Sequence, residues 1–297
     1  MENRRIKILF LVIIAFILAF ILYRFFAPRF AGEISVNPIM FQIGPLALRW
    51  YGAIIAISVA CAYGLWLLPI IKRNNYNEDE FTTLALLLVI TGIIGARLGY
   101  VVQNLHYYLS QPVEILALWH GGMSIHGAVI ACIPVVIWRA PKVGLPAMKL
   151  LDILSPAVVL CLAFGRLGNF FNGELFGKPT DVAWKMFVPA ANRPLALSQD
   201  QYFHPVFLYE MVLDLLIFIA LIFIGKKFGR NGIVFWSFVL LYSAARFTVE
   251  FWRYNEGFYW WGFSLAQWVS MILMVISVVA LYIIFKVKGL TKRNNSL

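Results

Sequence analysis

The chain has 297 residues, of which 62% are hydrophobic and only 13% are charged, and its formal net charge is +11. A water-soluble domain is roughly 45–50% apolar and about 25% charged. The composition therefore excludes a soluble globular protein and indicates a polytopic membrane protein. The basic residues form short clusters between apolar runs, which is typical of membrane topology signals and anionic lipid contacts and argues against a nucleic-acid partner.

Eight apolar runs approach the length of about 20 residues that a membrane-spanning helix needs. They cover residues 6–26, 46–71, 81–102, 121–138, 146–165, 205–225, 232–252 and 262–285. The apolar stretch of the first run is longer than the roughly 7–15 residues of a signal-peptide core. We therefore interpret it as an uncleaved anchor, with processing as the open alternative. The fold class predicted from these runs is an all-α polytopic membrane helix bundle.

The distribution of Lys and Arg predicts the orientation of the chain, because cytoplasmic loops carry an excess of basic residues. With the N-terminus in the cytoplasm, that side holds the basic clusters at 4–7, 72–73, 139–149, 226–230 and 286–293. Both termini are then cytoplasmic. The longest outside loop, about 166–204, begins where the fifth helix emerges from the membrane.

The pattern of cysteines and histidines argues against disulfides and zinc sites. Cys61, Cys132 and Cys161 all fall inside apolar runs, and the chain contains no CxxC spacing. No HExxH motif is present either. We therefore expect neither a disulfide framework, nor a structural zinc site, nor a zinc protease.

Three arginines are predicted at or near the outer ends of spanning helices: Arg97, Arg166 and Arg246. An Arg at the centre of such a helix costs roughly 2.5–3.5 kcal/mol, so each needs a partner or a function, unless it extends to the interface. Tyr242, Arg246 and Glu250 follow one another at i, i+4 and i+8, which places them on one helix face. This polar face predicts contact with protein or a water-filled cavity, and a purely structural Arg246–Glu250 pair is the alternative.

The segment WHGGMSIHGAVIA, 119–131, places His126 about one turn into an apolar helix, among small residues that allow close approach. His126 is therefore a candidate catalytic residue, and a hydrogen-bonded core histidine is the alternative. Ser124 precedes it by two positions, so the two side chains point in different directions on a helix. The segment also lacks the second glycine of a GxSxG elbow, which disfavours an intramembrane serine protease.

The stretch GRLGNFFNGELFGKPTDVAW, 165–184, concentrates polar residues and glycines in a mostly apolar chain. Arg166 offers a planar guanidinium suited to a phosphate, and nearby asparagines offer neutral donors. Glycines permit tight turns and a close approach of backbone N–H groups to a ligand. The stretch predicts a binding site for an anionic lipid headgroup, and a glycine-rich re-entrant loop is the structural alternative.

Six motifs together resemble the bacterial prolipoprotein diacylglyceryl transferase family over about residues 35 to 288. They are RWYG (49–52), GARLGY (95–100), GGMSIHG (121–127), GRLGNFFNGELFG (165–177), HPVFLYE (204–210) and RFTVEFWR (246–253). The resemblance implies a catalytic core of seven spanning helices at 34–297, with a polar outer region at 166–204. Residues 1–33 then form an extra N-terminal transmembrane anchor.

The resemblance also implies an activity. Such enzymes transfer the diacylglyceryl group of phosphatidylglycerol to the lipobox cysteine thiol in the signal peptide of a prolipoprotein. A thioether forms and glycerol phosphate is released. The implied location is the bacterial inner membrane, with the active site toward the outer leaflet, and no metal or organic cofactor is required.

Site residues follow from the family motifs, position by position. Arg166 matches the arginine that binds the lipid phosphate, and Arg246 matches a second essential arginine. The resemblance implies a catalytic group of His126, Arg246, Tyr242 and Glu250, and a lipid-binding group of Arg166, Asn169, Glu174, Gly177 and Tyr51. His126 is the candidate general base, because its ordinary pKa of about 6.5 is close to the operating pH. Alternatively, His126 only donates a hydrogen bond, and the substrate thiolate forms in the field of the arginines.

Two other function classes stay open, and a third is disfavoured. A transporter or flippase for an anionic solute would also bury arginines, but it should show paired broken helices in two related halves, and the sequence shows no convincing pair. A lipid hydrolase would need the same headgroup site. A membrane scaffold would not need three arginines together with a histidine and a glutamate at membrane depth.

Overall fold

The structure, a computed structural model, describes residues 20–44, 46–118, 121–255, 257 and 259–294. Residues 20–31 are helical and form helix α1. Most of the first predicted span, 6–26, and the basic cluster at 4–7 lie outside the described residues.

Helices dominate the described part of the chain. After α1 they are α2 (Trp50–Arg73), α3 (Glu78–Gln103), α4 (Leu105–Ser110), α5 (Ile125–Arg139), α6 (Ala147–Asn172), α7 (Val206–Lys227), α8 (Ile233–Val249) and α9 (Leu265–Asn294). Within the described residues, α2, α3, α6, α7 and residues Leu265–Lys286 of α9 are long and apolar enough to cross a membrane. The shorter apolar helices α5 and α8 have 15 and 17 residues. The all-α polytopic membrane fold is confirmed, whereas the count of seven core spans stays a prediction.

In the part of the chain that the structure describes, three short antiparallel hairpins accompany the helices. Their strands are β1 (Ile39–Ile43) with β2 (Leu46–Arg49), β3 (Met186–Phe187) with β4 (Tyr202–Phe203), and β5 (Tyr259–Trp260) with β6 (Phe263–Ser264). They explain why two predicted spans start later than expected. Residues 46–49 pair as a strand before α2 begins at Trp50, and residues 263–264 pair before α9 begins at Leu265.

The fifth span is longer than its apolar run indicates. Helix α6 continues to Asn172, so Arg166 and Asn169 lie on its last turns and not in a loop that begins at residue 166. The glycines of this segment serve helix packing: a Cβ on Gly168 would lie 3.2 Å from Cα of Tyr51. The helix ends at Gly173, whose φ of +64° suits a C-terminal glycine cap.

The chain forms two compact units, the first made of Met1–Ser58, Cys161–Leu216 and Tyr242–Met274. Its aromatic core is built around Phe170, Phe203 and Phe207, which are at most 3% exposed. Helix α1 contributes to this core, because the ring centroid of Phe26 lies 5.0 Å from that of Phe170. Phe30 lies 6.3 Å from Phe207 by the same measure. The described end of the N-terminal segment is thus packed into the first unit.

The second unit comprises Val59–Leu160, Ile217–Leu241 and Val275–Leu297. Helices α3 and α5 meet through glycines, and a Cβ on Gly99 would lie only 2.7 Å from Cα of Gly127. Such small residues allow membrane helices to pack with their backbones in close contact. Asp152 on α6 accepts hydrogen bonds from the N–H groups of Gly232 (2.6 Å) and Phe235 (2.8 Å), so a carboxylate caps the N-terminus of α8.

Candidate functional site

Arg166 is the starting point of an ionic network in the first unit. Its side chain is 14% exposed, and its Nη1 lies 2.6 Å from Oε2 of Glu210 on α7. Its Nε lies 3.7 Å from Oδ2 of Asp214, one turn further along the same helix. Tyr242 on α8 adds a side-chain hydrogen bond to the guanidinium. Three helices therefore hold this arginine in a nearly water-free position.

Glu210 is the centre of the network, because its carboxylate contacts three arginines. Beside Arg166, its Oε1 lies 4.0 Å from Nη1 of Arg246 and 3.3 Å from Nη1 of Arg253. The side chain of Glu210 is only 5% exposed. A single buried carboxylate thus occupies the place where three guanidinium groups converge.

Glu250 fixes the position of Arg246 from the other side. Its Oε2 accepts from Nη1 of Arg246, and its side chain is 1% exposed. Its Oε1 accepts from Oγ of Ser264 at 2.7 Å and from Nδ2 of Asn255 at 3.1 Å. A buried carboxylate with this many donors stays ionised and keeps Arg246 in one orientation.

The ionic network is balanced in charge and leaves little room for another group. Three arginines face three carboxylates, so the formal charges of this cluster balance. The cavity enclosed between Arg166, Glu210, Asp214 and Arg246 measures only about 10 Å³, which is about the space one water molecule needs. A phosphate group can enter only if it replaces a carboxylate as partner of the arginines.

A second polar cluster caps the end of α6. Nδ2 of Asn169 donates to Oε1 of Glu174 at 2.9 Å, and Nδ2 of Asn172 donates to the same atom at 3.1 Å. The backbone N–H of Glu174 donates to the carbonyl of Asn169 at 3.0 Å. Tyr51 belongs to the same unit, where its ring packs against Gly168. These contacts fix the turn that leads from helix α6 into the loops that follow it.

Gly177 and Arg253 connect the loops that follow α6 with the ionic network. The two residues form an antiparallel bridge, and the N–H of Gly177 donates to the carbonyl of His204 at 2.8 Å. A Cβ on Gly177 would lie 2.6 Å from a methyl of Val206, so only glycine fits. Burial lowers the pKa of Arg253, and the positive charge of Arg246 lowers it further.

His126 lies in the second unit, in the first turn of α5, and its side chain is exposed. The segment before it is held by Arg97, which is 4% exposed. Arg97 donates to the carbonyls of Ile115 at 2.9 Å, Gly122 at 3.0 Å and Ala117 at 3.2 Å, and also to those of Glu114 and Gly121. Arg97 is thus buried with main-chain carbonyls as its hydrogen-bond acceptors, and it does not extend to the interface.

The structure brings Arg166, Tyr242, Arg246 and Glu250 into one network, and it places Asn169, Glu174, Gly177 and Tyr51 in the same unit.

Sequence reasoning missed Glu210, Asp214 and Arg253. A signal was present for the two acids, because carboxylates at i and i+4 in an otherwise apolar helix need a shared partner. Arg253 ends the motif RFTVEFWR, seven residues after Arg246, but its spacing alone does not reveal the contact with Glu210.

Among the residues described, no cluster of three or more His, Cys, Asp or Glu is arranged to hold a metal ion.

The apolar helices and the buried arginine–carboxylate network define a polytopic membrane protein with a polar site among its helices. A family model described as prolipoprotein diacylglyceryl transferase matches residues 38–283. The chain belongs to this family.

Individual relatives agree with the family match. Over 270 residues the chain is 40% identical to the phosphatidylglycerol–prolipoprotein diacylglyceryl transferase of Parasynechococcus marenigrum, covering 84% of this chain and 94% of the relative. The protein of the same name from Synechococcus elongatus is 38% identical over 260 residues, covering 86% and 89%. That from Thermotoga maritima is 39% identical over 232 residues, covering 77% and 78%.

Proposed function

We propose that this chain transfers the diacylglyceryl group of phosphatidylglycerol to the lipobox cysteine thiol of a prolipoprotein. The observation that carries the proposal is the convergence of Arg166, Arg246 and Arg253 on the buried carboxylate of Glu210. Guanidinium groups bind phosphates by charge-assisted hydrogen bonds, and they do so most strongly where water is excluded. Family membership and the names of the relatives agree with this substrate.

The reaction follows from ordinary nucleophilic substitution. The cysteine thiol loses its proton to a base, and the thiolate attacks the glycerol carbon that carries the phosphate ester. A carbon–sulfur bond forms as the carbon–oxygen bond breaks, and the bonding electron pair stays on the phosphate oxygen. The products are a diacylglyceryl thioether and glycerol phosphate, so all atoms are accounted for.

The arginines supply what this reaction needs most. The phosphate of the lipid displaces carboxylate partners of Arg166 and Arg246. The two arginines then stabilise the charge that grows on the leaving oxygen. Glu250 holds Arg246 throughout, because its other oxygen is bonded to Ser264 and Asn255. Tyr242 orients Arg166 in the same way.

His126 is the proposed general base. Its exposed position at the start of α5, after a segment fixed by Arg97, is compatible with a group that must meet a substrate. Removal of a general base lowers rates by roughly 10²–10⁴-fold. For His126→Gln we expect a loss in that range, with a residual rate that rises with pH as the peptide thiol ionises. A loss of less than about tenfold at neutral pH would favour thiolate formation in the field of the arginines.

The proposal also includes the membrane in which the chain lies and its orientation there. We place the chain in the bacterial inner membrane with both termini in the cytoplasm and the network toward the outer leaflet. The distribution of basic clusters supports this orientation. The polar loops that follow α6 and α8 would then face the side where a secreted prolipoprotein presents its cysteine.

The test uses the purified full chain, phosphatidylglycerol vesicles and a lipobox peptide, followed by mass spectrometry of the peptide. We expect a diacylglyceryl mass gain that requires the peptide cysteine, with a Cys→Ser peptide as control. Free diacylglycerol without a modified peptide would indicate a lipid hydrolase instead. If folded protein with lipid gives neither product, the transferase proposal fails and anion transport becomes the function to test.

A further inference from the structure

A cavity of about 310 Å³ opens in the loops of the first unit. It is lined by Gly173, Glu174, Leu175, Phe176, Asn192, Arg253 and Tyr254. All these residues lie outside the membrane-spanning helices. The volume is at the lower end of the roughly 300–1,000 Å³ range typical of small-molecule sites, so the cavity suits a small polar ligand.

Arg253 joins this cavity to the ionic network. It lines the cavity, and its Nη1 lies 3.3 Å from Oε1 of Glu210, which Arg166 and Arg246 also contact. An anion that dissociates from Arg166 can therefore bind next to the guanidinium of Arg253, which lies at the edge of the larger cavity. Burial lowers the pKa of Arg253, and the neighbouring positive charge of Arg246 lowers it further.

The rim of the cavity offers partners for hydroxyl groups. Asn192 is exposed, and its Nδ2 donates to the carbonyl of Gly173 at 3.3 Å. Glu174 contributes a carboxylate that accepts hydrogen bonds from Asn169 and Asn172. The backbone here is strained, because Leu175 has a φ of +59°, a conformation that non-glycine residues rarely adopt. Strain of this kind is typical of ligand sites.

We propose that this cavity is a product site that binds glycerol phosphate after its release from phosphatidylglycerol. The inference rests on the proposed function. The network itself has room for about one water molecule, so the leaving group needs another place to go. In the cavity its phosphate meets Arg253, and its hydroxyls meet the amide of Asn192 and the carboxylate of Glu174.

The shared chemistry is that of a small phosphate, and three probes separate its sources. Glycerol 1-phosphate represents the product, glycerophosphoglycerol represents the intact headgroup, and inorganic phosphate represents the bare anion. Binding of each labelled probe is measured directly on the full detergent-solubilised chain, without peptide. Glycerol 1-phosphate is expected to bind most tightly, and it should also inhibit transfer.

Asn192→Asp is the decisive variant, because it keeps the size of the side chain and adds a negative charge at the cavity rim. We expect it to weaken glycerol 1-phosphate binding by about tenfold or more, since like charges a few ångströms apart repel strongly. The initial transfer rate, measured before product accumulates, should stay close to that of the unchanged chain. Gln199→Asp is the matched control, because it adds the same charge at an exposed position in the same loop region that does not line the cavity.

The outcomes separate the two proposals. Weaker binding with Asn192→Asp but not with Gln199→Asp supports the product site. Equal binding by all three proteins, or equal weakening by both variants, overturns it. Tighter binding of glycerophosphoglycerol than of glycerol 1-phosphate also overturns it, in favour of a site for the intact headgroup. A failure of the proposed function would appear separately, as an absence of peptide modification in the transfer assay.

Discussion

Arg97 in the second unit and Arg166 in the first are both buried arginines of a membrane protein, but their partners differ in kind. Arg97 donates to five main-chain carbonyls between residues 114 and 122. Arg166 contacts the carboxylates of Glu210 and Asp214. Carbonyls that belong to a folded segment are fixed acceptors, whereas a phosphate can replace a carboxylate. The first arrangement suits a structural clamp, and the second suits an exchangeable anion site.

The comparison shows that depth in the membrane does not by itself identify a functional arginine. Both residues satisfy the rule that a buried charge needs partners. Only the chemistry of the partners separates a residue that orders the backbone from one that can bind a ligand. The same substitution at both positions should therefore give opposite results.

Of the substitutions that test this comparison, Arg166→Lys is expected to reduce activity most. Lysine keeps the positive charge beside Glu210 and Asp214 but loses the planar guanidinium that binds phosphate oxygens in pairs. We expect transfer to fall by roughly 10²–10³-fold, the range seen when one donor to a developing oxyanion is lost. Kinetics with the lipobox peptide measure this, and a loss below about tenfold would show that this guanidinium does not stabilise the leaving phosphate.

Arg97→Lys is expected to reduce stability more than chemistry. The ammonium group has three donors and cannot reach all five carbonyls, and each buried carbonyl left without a partner costs about 1–3 kcal/mol. We expect the midpoint of thermal unfolding in detergent to fall by at least about 5 °C. The protein that stays folded should retain most of its transfer activity. Unchanged thermal stability together with lost transfer would place Arg97 in the active site and not in the scaffold.

Glu210→Gln tests whether the central carboxylate competes with the lipid phosphate. Removing its charge leaves three arginines with less compensation, so the KM for phosphatidylglycerol should fall by roughly three- to tenfold. Asp214→Asn is the matched control, because Asp214 lies 3.7 Å from Arg166, whereas Glu210 contacts three arginines. It should change the KM by less than Glu210→Gln does. A higher KM in Glu210→Gln would mean that this carboxylate positions the arginines and does not compete for them.

Gly127→Ala gives the smallest expected effect, confined to the scaffold. Its Cβ would lie 2.8 Å from Cα of Gly99, and overpacking of this kind costs about 1–3 kcal/mol. Gly92→Ala is the control on the facing helix, since its Cβ would lie at an ordinary 3.5 Å from Sγ of Cys132. Thermal unfolding should shift downward for Gly127→Ala only. Equal shifts would show that the α3–α5 contact is loose.

The sequence could predict the membrane fold because long apolar runs leave few alternatives to spanning helices. It could also place Tyr242, Arg246 and Glu250 on one face, because helical periodicity connects residues within one element. It did not predict that Glu210 contacts Arg246 and Arg253, since contacts between elements depend on packing. The glycines of GRLG were ambiguous for a similar reason: in water they favour turns, but within α6 they allow close packing against Tyr51.

The most direct test of the exchangeable anion site is the thermal stabilisation of the protein by lipid headgroup. Wild type, Arg166→Lys and Arg97→Lys are titrated in detergent with phosphatidylglycerol or with phosphatidylcholine of the same acyl chains. A ligand that binds only the folded state raises the midpoint by an amount that grows with the logarithm of its concentration relative to its Kd. We predict a phosphatidylglycerol-specific rise for wild type and Arg97→Lys that is absent in Arg166→Lys. An equal rise in all three proteins would contradict the assignment of the lipid phosphate to Arg166.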